Sequence, residues 1–74
     1  MITVRYFAAA AEAAGVDTEQ VPAGVVGTML VERRPALAAV LGRCALLADG
    51  VRVEVDEAVA DGVTVDVLPP FAGG

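Results

Sequence analysis

Cys44-Ala45-Leu46-Leu47-Ala48-Asp49-Gly50-Val51-Arg52-Val53-Glu54-Val55 decides the fold, because two strand-like runs, Cys44 to Ala48 and Val51 to Val55, flank an Asp-Gly pair. Asp-Gly tolerates the positive φ angles of a tight two-residue turn, so the stretch predicts a hairpin. A second Asp-Gly pair at 61–62 precedes another strand-like run, Val63 to Leu68. Upstream the period changes: Val26, Met29, Leu30, Leu37, Val40 and Leu41 fall mostly at spacings of three, four and seven, the stripe of an amphipathic helix. Pro35 cannot sit in an undisturbed helix interior. It predicts either a break at Arg33-Arg34 or a second helical segment with Pro35 in its first turn, and Gly42 is the expected stop.

At the N-terminal end, Ile2, Val4 and Tyr6 alternate with Thr3, Arg5 and Phe7, the period-two pattern of a strand with one face toward a core. Ala8 to Ala14 is nearly all alanine and ends at Gly15, which predicts a short, lightly anchored helix with a glycine C-cap. Thr18 to Val21 predicts a brief second strand, ended by the turn residues Pro22-Ala23-Gly24. The order strand, strand, helix, further strands is that of an α+β sheet with one main helix packed across it.

With 74 residues, 57% of them hydrophobic, the chain is expected to form one small domain without metal or disulfide support. Cys44, the lone cysteine, has no intramolecular partner, and no secretory apolar segment opens the sequence. A cytoplasmic protein is expected, with its natural C-terminus. Ten acidic residues against five arginines give a net charge of −5, which repels nucleic acid and anionic membrane and favours a partner with a basic docking surface. Lysine and histidine are both absent, so the commonest general base and the usual amine nucleophile are missing. That is a poor inventory for an enzyme.

The remaining feature is the ending Pro69-Pro70-Phe71-Ala72-Gly73-Gly74. Two prolines favour an extended projection with few accessible states, and two glycines present no side chains to a narrow channel. The terminal carboxylate is ionised at neutral pH and is a very weak acyl donor, so a partner must activate it. We therefore expect a domain over residues 1–68 and an extended, flexible, reactive tail over 69–74.

Ile2 to Phe7, the alanine-rich helix, Asp61-Gly62-Val63-Thr64-Val65 and the ending Leu68 to Gly74 together resemble the small, sulfur-carrying subunits of molybdopterin synthase, a family of ubiquitin-like proteins. The resemblance implies a ubiquitin-like β-grasp fold with a mixed sheet. It also implies that an ATP-dependent activating enzyme adenylates Gly74 and a sulfur donor system converts it to a thiocarboxylate. The large synthase subunit, in a heterotetramer with the carrier, then passes the sulfur to cyclic pyranopterin monophosphate. On this reading Gly74 carries the group, Gly73 gives clearance, and the chain itself binds no cofactor and no metal. Carriers for thiazole (thiamine) or cysteine synthesis share the fold and the Gly-Gly ending, and a ubiquitin-like protein modifier would join Gly74 to a lysine.

Because this fold places the first and last strands side by side, alternation puts Val63, Val65 and Val67 inward and predicts Phe7 and Leu68 on the open face, joined by Leu47. With Pro69, Pro70, Phe71 and Ala72 these form the expected partner-binding surface. Arg5 and Asp66 are expected as neighbours there, in a weak surface ion pair. Cys44 reads as a buried, inert thiol, Glu54, Asp56, Glu57 and Asp61 as a solvated acidic face, and Arg33-Arg34 as a charged helix end.

Overall fold

A computed structural model describes residues 1–70. Among them seven strands run β1 (Ile2–Tyr6), β2 (Thr18–Val21), β3 (Gly24–Val25), β4 (Ala45–Ala48), β5 (Val51–Val53), β6 (Ala58–Val59) and β7 (Thr64–Leu68). Two α-helices, α1 (Ala9–Ala14) and α2 (Val26–Arg33), and two 3₁₀ turns, Pro35–Ala39 and Leu41–Arg43, complete the described chain. Five of the strands form one sheet in the order β2-β1-β7-β4-β5. Its centre is the parallel pair β1 and β7, with Val4 opposite Val65 and Arg5 opposite Asp66; the other pairings are antiparallel.

One face of this sheet is the core. Ile2, Val4 and Tyr6 of β1, Val65 and Val67 of β7, and Leu46 of β4 are buried against Val26 and Leu30 of α2 and against Leu37 and Leu41 of the 3₁₀ turns. Each fully buried valine or leucine contributes about 1.5–3 kcal/mol of hydrophobic stabilisation, so this layer holds α2 across the sheet. The arrangement is the expected β-grasp.

Local chemistry sets the element ends. Gly15 caps α1 in the left-handed conformation, φ 79°, and its N–H donates to Ala11 O at 2.9 Å, as a glycine C-cap does. Arg34 is extended, φ −137° and ψ 84°, as the residue before proline prefers, and Pro35 opens the following 3₁₀ turn. Asp49 and Gly50, with φ 48° and 84°, form the predicted hairpin turn between β4 and β5. The Asp49 carboxylate also accepts from the Thr64 N–H at 2.9 Å while the Asp49 N–H donates to Thr64 O at 2.8 Å, tying that turn to β7.

Several boundaries differ from the sequence reading. Gly42 does not stop the helical region: it lies inside the second 3₁₀ turn, which Cys44 ends in extended conformation. The strand expected over Val51 to Val55 ends at Val53, and Val55 is 43% exposed. Val63 lies just before β7, half-buried against the core. The pair β3 and β6, with Gly24 opposite Val59, was not expected, because two residues are too few to show a period.

Candidate functional site

The sheet face opposite α2 is open, and the root of the tail leaves from it. Alternation along β1 and β7 turns Arg5 and Asp66 to this side. Arg5 Nε donates to Asp66 Oδ1 at 2.6 Å and Nη2 donates to Oδ2 at 2.8 Å, a two-pronged pair whose geometry is better than a chance surface contact. Asp66 holds the Arg5 guanidinium above its ordinary range, through the hydrogen bonds first and through charge second. The Arg5 guanidinium carbon also lies 5.8 Å from the centre of the Phe7 ring, within cation–π range.

Phe7 sits one residue beyond β1. Its N–H donates to Val67 O at 3.2 Å, which continues the parallel ladder, and its ring is 38% exposed. Ala8 then takes the uncommon pair φ 49° and ψ −124°, turning the chain into α1 directly after Phe7. Across the sheet, Leu47 stands opposite both Asp66 and Arg52, and Leu68 stands opposite Ala45. Leu47 and Leu68 are half-buried on the same open face. The predicted patch residues Phe7, Leu47 and Leu68 therefore share one face around the Arg5–Asp66 pair. Arg52, exposed there, was missed; the β4–β5 hairpin register would have found it.

Pro69 and Pro70 follow β7 outside any strand, Pro69 half-buried and Pro70 exposed. Phe71, Ala72, Gly73 and Gly74 lie outside the described residues. Among the described residues no group of three His, Cys, Asp or Glu side chains comes together to hold a metal ion, and no helix is long and apolar enough to cross a membrane. Cys44 is buried, its thiol donates to Val40 O at 3.3 Å, and burial pushes its pKa up, away from a reactive thiolate. The acidic residues Glu54, Asp56, Glu57 and Asp61 are exposed.

Arg33-Arg34 is more than the charged helix end read from the sequence. Arg34 donates from Nε and Nη2 to the two Glu19 oxygens at 2.7 and 3.1 Å and from Nη1 to Ala14 O at 2.8 Å. Arg33 reaches the same carboxylate at 3.2 Å, and the Tyr6 hydroxyl donates to it as well. Sequence separation of 13 or more residues hid this network. Its effect is to clamp α2 and α1 to β2.

The model of the ThiS family matches residues 4–74. No curated protein matches the chain. Among solved structures, SAMP1, small archaeal modifier protein 1, from Haloferax volcanii is 31% identical with a TM-score of 0.79, over 99% of this chain and 98% of that one. A putative molybdopterin converting factor, subunit 1, from Pyrococcus furiosus is 27% identical with a TM-score of 0.77, over 95% and 97%. The complex of subunits 1 and 2 of molybdopterin-converting factor from Helicobacter pylori 26695 contains a chain of the same fold, 21% identical with a TM-score of 0.69, over 99% and 97%.

Proposed function

The chain belongs to the ThiS family, ubiquitin-like sulfur carriers, and from that premise we propose that it carries sulfur for molybdenum cofactor synthesis in the cytoplasm. The observation that supports the reading best is the route of the last strand. β7 lies between β1 and β4, and the chain leaves it at Pro69-Pro70, beside a face bearing Phe7, Leu47 and Leu68, with Phe71-Ala72-Gly73-Gly74 still to come. A fixed root and a side-chain-free end suit a group that must be presented inside another protein.

On this proposal a partner enzyme uses ATP to adenylate the Gly74 carboxylate, a sulfur donor system replaces AMP with sulfur, and the thiocarboxylate enters the large synthase subunit. There it gives its sulfur to cyclic pyranopterin monophosphate, and two carriers serve each product because a dithiolene needs two sulfurs. The open face docks the large subunit, in keeping with the pairing of subunits 1 and 2 in the Helicobacter complex. Acid–base chemistry falls to the partners, since the sequence contains neither histidine nor lysine.

Intact-mass analysis after incubation with ATP, a sulfur source and the activating enzyme tests the proposal. An oxygen-for-sulfur replacement confined to Gly74, lost when residues are added beyond it, is expected. Absence of that replacement, or product formation by the extended chain, overturns the assignment. The 31% match to SAMP1 favours one second reading, a protein modifier. Gly74 joined to lysines of other proteins, with no thiocarboxylate formed, would establish that reading instead; reconstitution with thiazole- or cysteine-forming enzymes separates the other sulfur acceptors.

A further inference from the structure

On the helix side of the sheet, away from the tail's root, the loop after β5 lies directly on the first turn of α2. The Gly27 N–H donates to Val55 O at 3.2 Å, and a Cβ at Gly27 would stand 2.4 Å from that oxygen and 2.7 Å from Val55 Cβ. Only glycine allows this approach. Between α2, the two 3₁₀ turns and the loop, the close approach leaves a groove of about 460 Å³. Val31, the buried Leu41 and the exposed Val55 belong to its apolar lining.

The charged residues that line the groove have one sign. Glu32 and Asp56 are exposed lining residues, no basic side chain lines the groove, and neither acid has an ion-pair partner among the described residues. Arg33 and Arg34, next along the helix, are both drawn to Glu19 and leave Glu32 uncompensated. Glu54 and Glu57 flank Asp56 in the same exposed loop. A second copy of this acidic chain, or an anionic ligand, meets repulsion here, whereas a cationic segment gains attraction on approach and apolar burial on arrival.

We propose that the groove docks a partner protein segment in which aliphatic side chains are flanked by arginine or lysine. The aliphatic side chains fill the space over Val31 and Leu41, and the flanking cations meet Glu32 and Asp56. Because the open face with Arg5 and Asp66 is on the other side of the sheet, such a partner leaves the tail's root accessible, so two proteins can hold the carrier at once. Nothing in this proposal depends on sulfur chemistry.

The test is titration of the isotope-labelled full chain with a blocked peptide, Arg-Arg-Leu-Ile-Leu-Arg-Arg, followed by amide chemical shifts. Saturable shifts centred on Thr28, Val31, Gly42 and Val55 are expected. Glu32→Gln with Asp56→Asn should keep the spectrum of a folded protein and weaken binding about tenfold. The proposal is overturned by shifts centred on Arg5 and Asp66, by no groove shifts, or by an unchanged affinity in the double variant. It is equally overturned if peptides with glutamate for the arginines, or glycine for the aliphatic residues, bind as well.

Discussion

Glu19 shows how one side chain can set the pH response of a small domain. Its carboxyl, ordinarily at 4.5, is lowered to about 2, chiefly by the Arg34 hydrogen bonds, with burial opposing and Tyr6 and Arg33 assisting. Since the folded pKa is depressed, the unfolded chain takes up a proton first as pH falls. The stability contributed by this carboxylate is therefore complete above about 4.5 and is lost progressively toward 2. Hydrogen bonds to a charged group contribute about 1.5–3 kcal/mol, so Glu19→Gln should destabilise the protein by about 2 kcal/mol at pH 7. In urea melts the gap between wild type and variant should close as pH drops through that window. A gap independent of pH would mean that shape, not charge, makes Glu19 useful.

At the scale of elements, α2 is positioned from both ends, by the Arg34 clamp at its C-terminus and by the Gly27 contact in its first turn. Gly27→Ala improves helix propensity by about 1 kcal/mol, but it forces a methyl group against the Val55 carbonyl, at a typical overpacking cost of about 1–3 kcal/mol. The contact should win. A net loss of stability is expected, with faster hydrogen exchange at the amide of residue 27 as the loop lifts away; a stabilised variant would show that the loop gives way freely. Most elements were legible in the sequence because each carries its own local signal: alternation in Ile2-Thr3-Val4-Arg5-Tyr6, the Asp49-Gly50 turn, the proline that divides the helical stretch. The pair β3 and β6 and the loop on Gly27 were not, since they depend on chain segments meeting across about thirty residues and more. Glu19 gave no signal because its partners Tyr6, Arg33 and Arg34 lie 13 to 15 residues away, beyond any local pattern.

For the whole molecule, the sheet separates a buried face, which fixes the fold, from an open face, which is free to vary without loss of the core. The pairing of Arg5 with Asp66 on that open face followed from alternation and the first-beside-last strand order that the family resemblance implies, whereas Gly73 and Gly74, which would carry the chemistry, lie outside the described residues. Docking and chemistry can accordingly be separated by mutation. Leu47→Ser with Phe7→Ser changes residues on the open face and should leave the folded core intact. On the proposed function, the pair should raise Kd for the large synthase subunit by about tenfold or more, since side chains at the centre of an interface contribute about 1–2 kcal/mol each. Deleting Gly73-Gly74 should do the reverse in kind, abolishing sulfur transfer while changing that Kd only a few-fold. Titration calorimetry with the purified large subunit, alongside single-turnover sulfur transfer, reads both quantities. If the serine pair binds as wild type does, the docking surface lies elsewhere; if the truncated chain loses binding altogether, the tail itself is the dock and the open face is merely its anchor.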